Sequence, residues 1–241
     1  MKTKANAFKG KISKGYDILK KNIFPNYFDL QKIVALELKK NLKSKPHLLD
    51  IGLGTGVSTE TAFSVNKNAH ITAVDNSAEM TKQAKHTLLE CITEGKLLVV
   101  TNDALKFLKT AKTASFDAIF SVLTIHNFTN SYKKKALKEI YRVMKKEAIF
   151  VNADKIAQNN INEHQKHFKD KLELIRTEFS KENRQDLVKE WTDHYLVDNK
   201  PNIKINEKEL RTLMEDAGFT SIKKIYREGM DAIIIAKKTV D

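Results

Sequence analysis

The amino-acid sequence predicts an α/β fold: a doubly wound, mostly parallel seven-stranded sheet with an antiparallel last strand and a helical cap. Three observations predict this class. A chain of 241 residues that is 41% hydrophobic can bury one substantial core. Strand-like and helix-like segments alternate through residues 47–154, as they do in βαβ units. Two further strand-like segments meet at Glu228 and Gly229, which predicts an antiparallel hairpin.

The parallel part of the predicted sheet consists of short apolar runs separated by helical segments. The predicted strands are 47–51, 70–75, 96–101, 116–123 and 147–154. The predicted helices between them are 57–65, 77–90, 104–111 and 130–145. Met80, Ala84 and Leu88 fall on one face of the second helix, and Asn130 is the predicted N-cap of the fourth. Such alternation favours a sheet covered by helices on both faces.

Two segments lie outside this alternation. Residues 7–43 are predicted to be helical, because apolar residues recur there at steps of three and four: Leu30, Ile33, Val34, Leu38 and Leu42. Residues 156–198 are a long, charged, predicted helical insert that contains the only tryptophan, Trp191. We therefore expect a single domain over 1–241, with an N-terminal helical cap at 1–45 and this insert after the fifth strand.

A last helix is predicted just before the final hairpin, over residues 206–219. Asn206 and Glu209 have the spacing of a capping box, and Gly218 suits the end of the helix.

The composition limits the class of protein. The single cysteine, Cys91, excludes a disulfide framework and a cysteine-based zinc site, and it fits a reducing cytosol. The first residues are charged without the apolar core of a secretory signal, and no apolar run approaches the roughly 20 residues of a membrane span. A cytoplasmic protein that does not contact a membrane is expected.

The net charge of +13 raises the question of a polyanionic partner. Only five of the 43 basic residues are arginine, whose planar fork suits phosphate and guanine contacts. The charge is concentrated in residues 1–45, which hold twelve lysines and three acidic residues. A solvated basic face is favoured over a polyanion-binding arm, and RNA stays open as a partner.

The segment "LLDIGLGTG" (48–56) predicts a ligand-binding loop between a strand and a helix. Ligands of open parallel sheets bind beyond the carboxyl ends of the strands. A dinucleotide loop would read G-x-G-x-x-G, whereas this loop has Gly52, Gly54 and Gly56 with Val57 at the sixth position. The preceding Asp50 is poorly placed for a pyrophosphate and suits a ligand with an ammonium group. A tight turn without a ligand is the alternative.

Two further acidic residues follow neighbouring strands. Asp75 lies about 20 residues beyond the glycines, where an acid accepts hydrogen bonds from both ribose hydroxyls. Asp103, in "TNDAL", can accept from an adenine amino group beside the backbone amide of Ala104. Each acid alone could be only a helix cap. Three acids at successive strand ends, in register with the loop, favour a nucleoside-containing ligand.

These segments resemble the class I S-adenosylmethionine (SAM)-dependent methyltransferases. "LLDIGLGTG" resembles the first motif of that family, "AVDNS" its ribose motif with Asp75 and Asn76, and "NDAL" its adenine motif. "FDAIFSVLTIHNF" and the helix and strand after it are similar to the family's next elements. One departure is "MKKEAIF", where the family usually has a Pro-Gly-Gly turn. The resemblance implies a Rossmann-like methyltransferase fold, with SAM as the cofactor and S-adenosylhomocysteine as its product.

Within that family the chain resembles small bacterial and archaeal members, and more distantly carboxy-SAM synthase, a tRNA wobble-modification enzyme. That enzyme has a carboxylate-binding arginine in the helix before "AGF", where this chain has Leu213. Plain SAM is therefore the better match. The resemblance implies that Tyr16 closes over the methionine end of the cofactor and that Ser121 and Val122 line it.

His126, just after the fourth strand, is the candidate catalytic base, because a neutral imidazole can accept a proton near pH 7. The alternative, which is favoured here, is that His126 only packs over the cofactor or hydrogen-bonds the insert. Asp154 could orient a substrate amine or cap the insert. His164 and His167 could share a helix face, but no nearby acid completes a set of ligands, so no metal site is predicted.

The sequence thus predicts a SAM-dependent methyltransferase that acts on a small-molecule acceptor, because the insert and the N-terminal helices would cover the pocket. Two alternatives stay open. One is a tRNA-modifying SAM enzyme of the wobble-uridine type, and the other is a SAM-binding module without catalysis.

Overall fold

The structure is a computed structural model that describes residues 26–42 and 44–239. The seven strands are β1 (His47–Ile51), β2 (His70–Asp75), β3 (Leu97–Thr101), β4 (Phe116–Val122), β5 (Met144–Lys155), β6 (Thr220–Glu228) and β7 (Asp231–Lys237). The α-helices are α1 (Tyr27–Asn41), α2 (Val57–Val65), α3 (Ala78–Thr87), α4 (Leu89–Thr93), α5 (Ala104–Thr110), α6 (Asn130–Val143), α7 (Ile161–Lys181), α8 (Gln185–Asp198) and α9 (Glu207–Ala217). A 3-10 helix spans Ile125–Asn127.

The strands form one sheet in the order β3-β2-β1-β4-β5-β7-β6. Neighbours from β3 to β5 are parallel, and β7 is antiparallel to both β5 and β6. The predicted fold class is therefore confirmed. The strand order reverses between β1 and β4, which is where ligands bind in sheets of this kind.

Apolar side chains of the strands alternate between two cores, one on each face of the sheet. Leu48 belongs to the core under α1, α2, α3, α7 and α8, and the adjacent Leu49 belongs to the core under α5, α6 and α9. This alternation follows from the two-residue period of a strand. Both faces of the sheet are thereby covered, which leaves the strand ends as the place for a site.

The ends of several helices differ from the sequence prediction. Asn130 is not the N-cap of α6, because Thr129 accepts from the backbone N–H of Tyr132 in that role. The Asn130 side chain instead donates to the carbonyls of Pro201 and Lys204. The helix predicted over 77–90 is interrupted at Leu88 and continues as α4. Strand β5 begins at Met144 rather than 147.

Other local predictions are confirmed. Asn206 and Glu209 form the reciprocal capping box at the start of α9, and Gly218 ends that helix with a left-handed φ of 104°. Met80, Ala84 and Leu88 are all buried. The hairpin of β6 and β7 turns between Glu228 and Asp231, around Gly229.

Helix α1 and the insert helices α7 and α8 cover one face of the sheet. Helix α1 buries Leu30, Val34 and Leu38, three of the residues in the predicted stripe. Helices α7 and α8 follow β5, and the side chain of Trp191 is buried in the first core. None of the helices in the described ranges combines the length and apolar composition that a membrane crossing requires.

Candidate active site

The glycine loop after β1 packs against the β4 loop at Gly52, and the described residues leave it uncovered at Gly54. Gly52 and Gly54 both have left-handed φ angles, of 89° and 54°. A Cβ on Gly52 would lie 1.9 Å from Oγ1 of Thr124. A Cβ on Gly54 would meet no heavy atom of the described residues within 4 Å. The loop therefore needs glycine for close contact at Gly52, and at Gly54 its backbone faces room for a ligand.

Asp50 lies beneath this loop and is completely buried. One carboxylate oxygen, Oδ2, accepts from the hydroxyls of Ser58 and Thr59 at 2.7 Å each. The other oxygen, Oδ1, has no hydrogen-bond partner among the residues described. Burial raises the pKa of Asp50 to about 6. An unpartnered buried carboxylate oxygen fits a cationic ligand group, such as the ammonium of a bound amino acid.

Asp75 ends β2 and is hydrogen-bonded to the glycine loop. Its Oδ2 accepts from the backbone N–H of Gly54 at 2.9 Å, and its Oδ1 accepts from that of Ser77 at 2.8 Å. Burial raises the pKa of this carboxyl above its usual range. The exposed Asn76 follows directly. Asp75 thus fixes the loop and leaves carboxylate lone pairs at the strand end where a ribose would lie.

Asp103 is the N-cap of α5, so a helix cap, the alternative to a ligand contact, is part of its role. Its Oδ1 accepts from the backbone N–H of Lys106 at 2.9 Å and from the hydroxyl of Tyr132 at 2.9 Å. That hydroxyl in turn accepts from the N–H of Leu105 at 2.7 Å. Ala104 is half-buried at the start of the helix. Tyr132 was not a predicted site residue, and no motif around it would have indicated this contact.

Ser121 and Val122 lie at the end of β4. The side chain of Ser121 is fully buried, and its hydroxyl donates to the carbonyl of Ile51 at 3.0 Å, which joins β4 to β1. Val122 is buried beside it. The Ser121 contact lies directly before Gly52, at the start of the glycine loop, while the predicted contact of both residues with a cofactor stays a prediction. Tyr16 lies outside the described residues.

His126 is held by one carboxylate. The backbone N–H of His126 donates to Oδ2 of Asp154 at 2.8 Å, and its ring Nδ1 is hydrogen-bonded to Oδ1 of the same residue. Both side chains are nearly inaccessible, at 6% and 2% exposure. Burial, reinforced by the nearby Lys155, lowers the pKa of His126 below its usual range. The imidazole is therefore neutral at pH 7, with its proton on Nδ1 and a lone pair on Nε2.

Nε2 of His126 is buried and has no hydrogen-bond partner in the described part of the chain. Close to it is Oδ2 of Asp198, at 3.9 Å, and that oxygen accepts from Nζ of Lys155 at 2.9 Å. His194 lies one helical turn before Asp198, with Nε2 at 3.4 Å from the same oxygen. Two elements distant in sequence, β5 and α8, thus bring charged groups to the predicted base.

A pocket of about 400 Å³, including its open mouth, adjoins these groups. His126, Lys155 and Asp198 share its wall with apolar side chains of α7, α8 and the segment after α8. His164 also lines it, but its two ring nitrogens are already hydrogen-bonded to Gln158 and Asn199. His164 is thus engaged in the structure of the insert.

Lys155, His194 and Asp198 were not predicted to be site residues. One signal was available for two of them, because His194 and Asp198 are four residues apart and so share a helix face. Nothing in the sequence indicated that this face would meet His126. Asp154 was identified, although its contact with His126 was not.

Known proteins resemble the chain in both sequence and structure. A family model described as a methyltransferase domain matches residues 48–147. Carboxy-S-adenosyl-L-methionine synthase of Campylobacter fetus is 24% identical over 234 residues, which covers 92% of this chain and 90% of that protein.

Two solved structures share the fold. A Methanococcus maripaludis protein assigned as a SAM-dependent methyltransferase has a TM-score of 0.65 at 17% identity, covering 97% of this chain and 95% of its own. Phosphoethanolamine N-methyltransferase 2 of Haemonchus contortus, in complex with SAM, has a TM-score of 0.68 at 14% identity. The match covers 100% of this chain and 60% of that chain. The sheet order, the glycine loop with its acids, the matched methyltransferase domain and these relatives all support the assignment of the chain to the class I SAM-dependent methyltransferases.

Proposed function

We propose that the chain transfers the methyl group of SAM to a small-molecule acceptor bound in the pocket at the ends of β4 and β5. The observation that carries this proposal is the buried His126–Asp154 pair, because His126 lines the pocket and lies two residues after Thr124. Thr124 is also the residue against which Gly52 packs. The cofactor loop and the candidate base are thus joined by one short segment.

We assign the cofactor to the carboxyl ends of β1, β2 and β3. The residues proposed to hold it are Tyr16, Asp50, Gly52, Gly54, Gly56, Asp75, Asn76, Asp103, Ala104, Ser121 and Val122. Among these, the open backbone at Gly54 and the unpartnered oxygen of Asp50 support the assignment most directly.

When bound, SAM supplies an electrophilic methyl group on a sulfonium, so the protein mainly has to position the acceptor and manage its proton. Correct positioning can lower the barrier by about 7–11 kcal/mol. Nε2 of His126 is the proposed proton acceptor, and Asp154 is the positioning residue that keeps the other ring nitrogen protonated. Asp154 also stabilises the imidazolium that forms after proton transfer.

A small acceptor is favoured because the insert covers the pocket. His164 and Phe168 of α7 and Tyr195 of α8 line one side of it, and Ile203 and Ile205 line another. A polynucleotide would have to displace these side chains, whereas a small ligand fits among them.

The carboxy-SAM synthase relatives keep the tRNA-modification alternative open, with the basic residues 1–45 as its docking face. One observation weighs against a carboxylated cofactor. Leu213 is packed against the second core from α9, and the only arginine of that helix, Arg211, donates to the carbonyl of Ile222. Plain SAM therefore remains the proposed donor. The second alternative, a SAM-binding module without catalysis, predicts no transfer to any acceptor.

The proposal is tested by incubating the protein with methyl-labelled SAM and a cell extract, which is then separated into small molecules and RNA. We expect label in the small-molecule fraction, and loss of that label with His126→Ala. Label in RNA alone would support the tRNA alternative, with binding that weakens steeply as salt is added. No labelled product in any fraction would support the non-catalytic module.

A further inference from the structure

Three groups that line the same wall of the pocket surround one small space. They are Nε2 of His126, Nζ of Lys155 and Oδ2 of Asp198. Nζ of Lys155 also lies 3.9 Å from the centre of the Tyr195 ring. The side chains of Lys155 and Asp198 are only 9% and 10% exposed. The Nε2 lone pair of His126 and the ammonium of Lys155 therefore face the same poorly hydrated space.

A metal ion is one occupant to consider, since the ligand atoms of His126, His194 and Asp198 all lie within 4.8 Å of one another. However, the Lys155 ammonium already contacts the carboxylate oxygen that both histidines approach. A divalent cation at this oxygen would lie next to that ammonium, and the two would repel each other. A group that accepts from Lys155 and donates to His126 fits the same space without this conflict.

We infer that the reacting group of the acceptor is an ionisable hydroxyl, of a phenol or an enol, whose oxygen lies between Nε2 of His126 and Nζ of Lys155. This inference rests on the proposed function and names its substrate class. The O–H proton passes to Nε2 of His126. The acceptor oxygen forms the O–CH3 bond with the electron pair left by that proton, and the electrons of the S–CH3 bond leave with the sulfur.

The order of charges supports a hydroxyl over an amine. After proton transfer, the groups in sequence are the Asp154 carboxylate, the His126 imidazolium, the acceptor oxyanion, the Lys155 ammonium and the Asp198 carboxylate. The acceptor oxyanion would have the imidazolium on one side and the ammonium on the other, which is the arrangement that stabilises an oxyanion in a buried site. An amine acceptor would become a methylated cation beside Lys155.

The surroundings agree with this class of acceptor. Further charged groups near the site are Lys204, which lines the pocket, and the pair of Asp231 at the start of β7 and Lys171 on α7, which lie close enough to each other to interact. Phe168, Ile203 and Met230 line the rest of the pocket. Apolar walls of this kind suit the ring or hydrocarbon body of a phenol.

The test uses 4-nitrophenol as a probe, because its ionised form absorbs visible light and can be followed without methyl transfer. We expect the wild-type protein to bind the phenolate at least about tenfold more tightly than the neutral phenol, which appears as a fall of about one unit in the pKa of the bound dye. Lys155→Met should abolish this preference, and Lys155→Arg should retain it.

Lys189→Met is the matched control, because Lys189 pairs with Asp193 on the exposed side of the same helix, α8. It should leave the preference for the phenolate unchanged. Circular dichroism checks that each variant folds. If Lys155→Met does not fold, the wild-type protein alone decides: 4-nitrophenol should bind at least about tenfold more tightly than the isosteric 4-nitroaniline.

Equal binding of the two compounds, or a phenolate preference that persists in folded Lys155→Met, would overturn the inference. So would a preference that appears only with added Zn²⁺ and is lost with a chelator. Methyl transfer from labelled SAM by a protein that does not select the phenolate would leave the proposed function standing and refute this inference alone.

Discussion

Asp154 determines which nitrogen of His126 carries the proton. A carboxylate can only accept, so Nδ1 must donate to it, and Nε2 keeps its lone pair toward the pocket. An asparagine at this position could donate to Nδ1 instead and so move the ring proton to Nε2. The catalytic competence of His126 thus depends on a residue that does not itself face the pocket.

Asp154→Asn should therefore slow methyl transfer by about a hundredfold or more while S-adenosylhomocysteine binding stays nearly unchanged. The two quantities are measured by labelled transfer under saturating SAM and by calorimetry. Tyr226→Phe is a suitable control, since its hydroxyl donates to Glu228 on β6, and neither residue is among those that line the pocket. An unchanged rate in Asp154→Asn would show that His126 is not the base.

Asp50 gives the chain a dependence of stability on pH. Its pKa is raised from 3.8 to about 6 by burial, so between these values the folded state holds a proton that the unfolded state has lost. The contribution of Asp50 to folding stability therefore falls as pH rises through this window, by about 3 kcal/mol at most. Relative to Asp50→Asn, the wild-type protein should lose stability between pH 4 and pH 6 in urea unfolding curves. A constant difference between the two proteins would contradict the raised pKa.

At the scale of elements, the contact of the glycine loop with the β4 loop couples the cofactor site to the candidate base. Gly52→Ala would force a Cβ against Thr124 at a residue whose φ is positive. Gly95 also has a positive φ, of 68°, but a Cβ there would meet no heavy atom of the described residues within 4 Å. Gly95→Ala should cost about 1 kcal/mol of stability from the backbone alone. Gly52→Ala should cost about 1–3 kcal/mol more and also reduce methyl transfer, because Thr124 moves with His126. Equal losses for the two variants, measured by thermal unfolding, would contradict this coupling.

The elements themselves were largely predictable, because each carries its own periodicity and end signals. Asn206, Glu209 and Gly218 mark both ends of α9 within the sequence. The exception at Asn130 has a tertiary cause: its amide is bonded to the segment after α8, which no local pattern reports. Thr129, the preceding residue, is then the cap.

The candidate site was predictable where it follows the strands and unpredictable where it depends on the insert. Asp75 could be placed because the ends of parallel strands share one edge. Lys155 and Asp198 could not, since their meeting requires α8 to fold back over β5. That arrangement is specified by buried contacts such as those of Trp191 and Tyr195 with the first core, which leave no short motif.

At the scale of the molecule, the segment after α8, which supplies Ile203 and Ile205 to the pocket wall, is hydrogen-bonded to helix α6. Lys133, which is 1% exposed, donates from Nζ to the carbonyls of Phe128 and Ile203. Lys133→Met should lower the free energy of unfolding by about 1–3 kcal/mol, because buried carbonyls lose a charged donor. It should also weaken acceptor binding more than S-adenosylhomocysteine binding, as KM values and calorimetry would show. Equal weakening of acceptor binding and S-adenosylhomocysteine binding would contradict this, because it would show that the segment after α8 contributes to the cofactor site as well.

The central claim is that the cofactor loop and the pocket beside His126 form one active site. It is tested most directly by a crystal structure of the chain with S-adenosylhomocysteine. We expect the adenosine beside Asp75 and Asp103, with the sulfur facing the pocket that His126 and Lys155 line. Binding of the ligand in another part of the chain, or a sulfur that faces away from this pocket, would contradict the account.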